Sequence, residues 1–191
     1  AALPTGVSPI VRVPTGDINR ATRILDAGAQ GVIFPHVQTA DEASNLTKAC
    51  RFPPKGIRSL SYGGPQLEYE NLKPTDVMEG LNQETLIIMM VETPKGVENA
   101  AAIAGVDGVD ILLIGGSDLS ATMGMPGEFE NPDFVKAVNK VVSATSSVSK
   151  WAGLGGVYDE TILPKFFKLG IRFFLGGADL SFILAGAKAR G

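Results

Sequence analysis

Glu92 and Asp118 are the residues whose placement most suggests chemistry. Each follows a strongly apolar run, Leu86 to Val91 and Ile111 to Ile114, and each is followed by turn and helix-start residues. Adjacent strands lie about 4.8 Å apart, so carboxylates at one level of two neighbouring strands can share a cation. All-oxygen ligation by two protein carboxylates suits Mg²⁺ or Mn²⁺, which keep water and take substrate oxygens in the remaining positions. The plainer reading is that both acids cap the helices that follow, and Pro94, close after Glu92, is compatible with that.

Other residues could serve such a centre. Arg12 interrupts an apolar segment, Ile10-Val-Arg-Val13. A guanidinium there is either an edge arginine or a partner for a keto-acid carboxylate or a developing enolate. His36 is the only histidine and the one side chain that titrates near neutrality by default; a bonded strand-end role is its plainer reading. Asp26 sits near the C-terminal end of a helical stretch, where the helix dipole opposes a negative charge. Lys55, Arg58, Tyr62 and nearby glycines could touch substrate, although a solvated loop explains them as well. Trp151 and the pairs Phe166-Phe167 and Phe173-Phe174 read as core or subunit contacts, and Met89-Met90 as barrel filling.

These residues must be positioned by repeating units. Short apolar runs alternate with segments of helical period, the pattern of βα units on a parallel sheet. The runs are Pro9 to Val13, Gly31 to Val37, Thr85 to Val91, Val109 to Ile114, Trp151 to Val157 and Ile171 to Leu175. The intervening helices are expected over 18–27, 39–51, 94–104, 132–148 and 159–169, with a closing helix to the last residue. Thr39 with Glu42 forms a capping box, and Gly28 is a natural helix stop. The polar segment from Pro53 to Pro74 is too long for an ordinary connection and becomes a candidate for the mouth of a site.

Six βα units of one type point to a (β/α)₈ TIM barrel in which strands 3–8 are visible and the first two units are missing, as a single partial domain over 1–191 truncated at its N-terminus. In such a barrel catalytic groups sit at the C-terminal strand ends, which selects Arg12, His36, Glu92, Asp118, Gly155 and Asp179. An open dinucleotide-binding sheet is excluded by its own signature. The nearest glycine cluster, Gly153-Leu-Gly155-Gly156-Val-Tyr158, has Tyr158 where a third glycine is needed.

Composition restricts the partners. The 191 residues carry a net charge of −3 without a basic run, which gives a nucleic-acid partner no electrostatic support. Cys50 is the only cysteine, so internal disulfides and cysteine zinc clusters are excluded, and a reducing, cytoplasmic setting is expected. No apolar stretch reaches the roughly 20 residues of a membrane helix.

The ordered motifs carry a resemblance. Val11-Arg-Val-Pro14 with Asp17, Leu25-Asp-Ala-Gly-Ala-Gln-Gly31, Thr39-Ala-Asp-Glu-Ala43 and Arg51-Phe-Pro-Pro-Lys-Gly-Ile-Arg58 occur in sequence. Val91-Glu-Thr93, Val106-Asp-Gly-Val-Asp110, Ile114-Gly-Gly-Ser-Asp-Leu-Ser120 and Gly176-Gly-Ala-Asp-Leu180 follow. Together they resemble the metal-dependent class II pyruvate aldolases, typified by 4-hydroxy-2-oxoheptanedioate aldolase, in a superfamily with the citrate lyase beta-type lyases and macrophomate synthase. The resemblance implies a lyase that acts on a small 2-keto acid through a pyruvate enolate, with Mg²⁺ or Mn²⁺ held by Glu92 and Asp118. It implies Arg12 as the enolate-stabilising arginine and Asp26 as the aspartate that raises the basicity of the catalytic histidine. It also implies Ser117, beside Asp118, as a pyruvate-binding position, and a homo-oligomer, a hexamer in the family. The apolar Phe182-Ile-Leu-Ala185 could then pack on a neighbour.

The sequence departs from the family in two ways. The family's general base lies in an Asp-x-Glu-His loop expected upstream of Ala1, and His36 does not match it. Met90 stands where the aldolases carry a pyruvate-binding glutamine. The second difference admits an oxaloacetate-decarboxylating, bond-forming chemistry of the macrophomate synthase type, and the first admits a non-catalytic homologue.

Overall fold

The computed structural model describes residues 2–60 and 63–191. The sheet strands are β1 (Ile10–Arg12), β2 (Gly31–Phe34), β3 (Leu86–Val91), β4 (Ile111–Gly115), β5 (Trp151–Gly155) and β6 (Ile171–Phe174). The helices are α1 (Ile18–Asp26), α2 (Ala40–Cys50), α3 (Pro74–Glu84), α4 (Pro94–Glu98), α5 (Ala100–Ala104), α6 (Gly116–Thr122), α7 (Pro132–Ser146), α8 (Leu163–Leu169) and α9 (Asp179–Lys188). The six strands pair in chain order and every pairing is parallel. This is a curled half-barrel with β1 and β6 as its edges, which matches the six visible βα units of the partial barrel and is not a full eight-stranded one.

Alternation along each strand gives the sheet two apolar faces. One row comprises Ile33, Ile88, Met90, Ile111 and Leu113, joined by Ile10, Leu86, Phe173 and Leu175 on what would be the barrel interior. The opposite row, including Val32, Phe34, Ile87, Met89, Leu112 and Ile114, packs against Leu25, Leu46, Ile103, Phe134 and Val138 of the helices. Met89 and Met90 therefore divide between the faces, and only Met90 fills the interior. Phe166 is core, Phe167 is half exposed and packs against Phe174 at a centroid distance of 4.2 Å, and Trp151 is 59% exposed.

Local chemistry sets the helix boundaries. Thr39 caps α2 by accepting the N–H of Glu42, while the Glu42 carboxylate accepts the N–H of Gln38, a reciprocal arrangement that satisfies donors the helix leaves free. The helix expected over 94–104 divides at Asn99 into α4 and α5; the Asn99 amide donates to the carbonyl of Gln38 at 2.8 Å, which ties this break to the β2–α2 turn.

The Pro53–Pro74 segment corrects an expectation. It follows α2, which runs back along the sheet, so it lies at the N-terminal strand ends and not at the catalytic mouth. Helix α3, which the sequence reading did not assign, completes this connection. Arg51 anchors it from a buried position. Nη1 donates to the carbonyls of Asn82 and Thr85 at 2.7 and 2.8 Å, and Nη2 to the Gly108 carbonyl and Asp110 at 2.9 and 3.0 Å. Asp110 also accepts the N–H of Ile87 at 2.7 Å, so one ion pair joins α2, α3, β3 and β4.

Helix α9 buries none of its residues, and Leu180, Phe182, Ile183 and Leu184 are exposed. Among the described residues, no helix is long and apolar enough to cross a membrane.

Candidate active site

The two carboxylates meet at the C-terminal ends of β3 and β4. Met90 pairs with Leu113 and Val91 with Ile114, so the next residues, Glu92 and Gly115, are neighbours. Glu92 lies two residues beyond Met90 and shares its inward direction. It is 2% exposed, and its backbone carbonyl accepts the Thr122 hydroxyl at 3.1 Å. Gly115 makes room for it: a Cβ there would lie 2.7 Å from Glu92 Cγ and 2.8 Å from Oε2. Helix α6 begins immediately after Gly115 and carries Asp118 in its first turn, close enough to the Glu92 carboxyl to raise its pKa.

Burial pushes the Glu92 carboxyl above its ordinary range, and the neighbouring Asp118 pushes it further. The His36 backbone N–H opposes them by donating to Oε1 at 2.9 Å. None of the lysine or arginine ion pairs among the described residues involves Glu92 or Asp118. A second carboxylate beside a desolvated one disfavours the charged form of Glu92. A divalent cation relieves that repulsion, and an all-oxygen pair suits a hard ion such as Mg²⁺ or Mn²⁺. Among the described residues, no group of three or more histidines, cysteines, aspartates or glutamates is placed to hold a metal.

Ser117 lies beside Asp118 in α6 and is exposed, with its hydroxyl donating to the Gly156 carbonyl at 3.1 Å. Gly156 has φ 78°, and a Cβ there would sit 2.5 Å from the Ser117 hydroxyl oxygen, so the β5–α8 turn closes against α6 only with glycine. Gly155 is a packing position, since its Cβ would meet Leu175 at 2.6 Å. Asp179 starts α9, is exposed and accepts the N–H of Leu180.

Arg12 ends β1 in register with Ile33, which continues through Ile88 to Ile111 on the inward row. It is exposed and takes part in none of the ion pairs among the described residues. It therefore shares the face of Glu92.

Asp26 does not. It is the last residue of α1, which follows β1 and returns to the opposite end of the sheet, where its Oδ1 accepts from Arg58 Nη2 at 2.7 Å. The chain's own topology thus places Asp26 apart from the carboxylate pair. Arg58 is buried at this same end, 4.6 Å over the Phe52 ring, and Lys55 belongs to the same connection. Tyr62 lies outside the described residues.

The sequence reading missed the part played by His36. Its φ of 56° is left-handed, a conformation uncommon outside glycine. It aims the backbone N–H at Glu92 Oε1, with the imidazole Nδ1 3.4 Å from the same oxygen. The available signal was position alone: a histidine in the turn after a strand adjacent to the glutamate's strand.

A parallel α/β half-barrel with two acidic groups converging at its C-terminal strand ends defines a class, the barrel-type enzymes that work at that face. A sequence model of the HpcH/HpaI aldolase/citrate lyase family matches residues 1–184, and the chain belongs to that family. It is 38% identical over 191 residues to the 4-hydroxy-4-methyl-2-oxoglutarate aldolase of Chaetomium globosum, covering 98% of this chain and 71% of that protein. It is 33% identical over 189 residues to the hydroxypyruvate/pyruvate aldolase of Delftia acidovorans, covering 99% and 70%. The crystal structure of the HpcH/HpaI aldolase from Desulfitobacterium hafniense is similar with a TM-score of 0.90 at 28% identity, covering 98% of this chain and 73% of that one.

Proposed function

We propose that this protein is a divalent-metal-dependent carbon–carbon lyase that cleaves or forms the bond next to a 2-keto acid through a pyruvate enolate. The observation that carries the reading is the convergence of buried Glu92, at the end of β3, and exposed Asp118, in the first turn after β4. The aldolase names of its relatives support it.

Glu92 and Asp118 would hold Mg²⁺ or Mn²⁺, which supplies Lewis acidity toward the keto oxygen of a bound 2-keto acid. The chain's own residues shape the rest. Burial of Glu92 excludes water from one side of the pair and strengthens electrostatic interactions there. Ser117, held by the Gly156 carbonyl, presents its backbone N–H beside Asp118 as a donor for the substrate carboxylate. Arg12, on the same inward face, supplies fixed positive charge for the oxygen that becomes negative as the enolate develops. Met90 gives the floor beneath Glu92 an apolar surface; it is 4% exposed.

The test is pyruvate release from a 4-hydroxy-2-oxo acid by the purified protein. The reading predicts that a chelator abolishes turnover and that added Mg²⁺ or Mn²⁺ restores it. Turnover indifferent to chelation contradicts it. Met90 in place of a polar residue favours a second substrate as well, oxaloacetate, whose decarboxylation reaches the same enolate. Metal-dependent CO₂ release without aldol cleavage would shift the assignment to that chemistry.

A further inference from the structure

We propose that His36 is a positioning residue that occupies Glu92 Oε1 and leaves Oε2 as the oxygen available to a cation, so that the site favours Mg²⁺ over Ca²⁺. The inference rests on the metal-dependent reading above and deepens it.

Three observations converge. The His36 N–H donates to Oε1 at 2.9 Å, and Nδ1 of the same residue lies 3.4 Å from that oxygen. The other oxygen, Oε2, faces Gly115 and takes the room left by the missing Cβ, which would lie 2.8 Å from it. The donors are also built in. His36 holds φ 56° because both of its flanks are fixed: Phe34 pairs with Met89, and the Val37 N–H donates to the Met90 carbonyl at 3.1 Å. A non-glycine residue kept left-handed persists where the surroundings over-determine it.

The consequence is selectivity. Mg²⁺ takes six ligands in near-octahedral geometry, with carboxylates contributing single oxygens. Ca²⁺ takes six to eight oxygens and readily uses both oxygens of one carboxylate. A glutamate whose Oε1 already accepts from His36 offers Ca²⁺ only half of the bidentate contact it favours, while it offers Mg²⁺ the single oxygen that ion requires. Partners that orient a ligand in this way typically contribute 10–100-fold in metal affinity.

The experiment is calorimetric titration of chelator-treated protein with MgCl₂ and, separately, CaCl₂, for the wild type, His36→Gly and His36→Asn. Glycine accepts the left-handed conformation without strain and keeps the backbone N–H donor, so it removes only the ring whose Nδ1 lies 3.4 Å from Oε1. Asparagine tolerates that conformation and retains a side chain that restrains the turn. The wild type is expected to bind Mg²⁺ more tightly than Ca²⁺. His36→Gly is expected to weaken Mg²⁺ about tenfold and narrow the ratio between the two ions, with His36→Asn in between. Melting curves of the metal-free variants check the fold, and glycine is expected to leave the melting temperature unchanged or raise it.

A folded variant pair with wild-type affinity for both ions overturns the role of His36 while leaving the metal site standing. So does a wild type that binds Ca²⁺ as tightly as Mg²⁺. A wild type that binds neither ion removes the metal-dependent reading, and this inference with it.

Discussion

Glu92 and Gly115 interlock at the ends of β3 and β4: the carboxylate fills the space that a Cβ on Gly115 would claim, with Oε2 only 2.8 Å from that position. Gly115→Ala should therefore displace Glu92 rather than unfold the sheet. Overpacking of this kind costs typically 1–3 kcal/mol. The expected result is a folded protein with reduced divalent-cation affinity, measured by calorimetry beside a melting curve. Wild-type affinity in the alanine variant would separate Gly115 from the site.

The raised pKa of Glu92 makes metal-free stability depend on pH in a defined direction. Its carboxyl binds a proton more tightly when folded, through burial first and Asp118 second. The folded state thus holds more protons than the unfolded one. The stabilisation is complete below the ordinary value of 4.5 and is lost as pH rises through the raised folded value. Glu92→Gln removes this titration. Metal-free wild type should lose stability relative to the glutamine variant as pH rises above about 4.5, as read by urea denaturation across a pH series. A difference independent of pH would contradict the assignment.

The buried Arg51 supports four partners, Asn82 and Thr85 at the end of α3 and Gly108 and Asp110 just before β4, three of them through carbonyls. Truncation to alanine leaves those acceptors and Asp110 without their donor, a class of change that costs about 3–5 kcal/mol. Arg51→Lys should rescue little, because an ammonium cannot reproduce the planar fork. For a chain of this size the fall in Tm should be on the order of 10 °C. A melting curve shifted by less than a quarter of that in Arg51→Ala would show that the network is dispensable.

Some of this was legible in the sequence. Apolar runs such as Leu86–Val91 and Ile111–Ile114, between capped amphipathic helices, identify parallel strands because both sheet faces must be apolar. The same runs deliver Glu92 and Asp118 to adjacent strand ends, since consecutive βα units become neighbours. Other features were hidden because they depend on contacts distant in sequence. His36 touches Glu92 across 56 positions, and its left-handed backbone has no compositional mark. Helix α3 lacks a strong cap, since Lys73 in the N-cap position makes no side-chain cap bond, so its start has no local mark in the sequence. The ion pair of Asp26 with Arg58 likewise spans 32 positions and has no local mark.

Arg12 is expected to act in the chemical step. A fixed guanidinium beside the developing enolate stabilises charge without reorganisation, and loss of one such donor costs roughly 2.7–4 kcal/mol, or about 10²–10³ in rate. Arg12→Lys should be nearly as damaging as Arg12→Ala. The loss should appear mainly in kcat, since substrate binding through other groups persists. Steady-state kinetics with unchanged kcat in Arg12→Ala would return Arg12 to a structural role on β1.

The central claim is that Glu92 and Asp118 act together on one divalent cation, and direct titration of Mg²⁺ into chelator-treated protein tests it. The account predicts one ion per chain for the wild type and at least about a tenfold loss of affinity in both Glu92→Gln and Asp118→Asn, because each carboxylate supplies charge and an oxygen that a hard ion requires. Folded variants that bind Mg²⁺ as tightly as the wild type would contradict it.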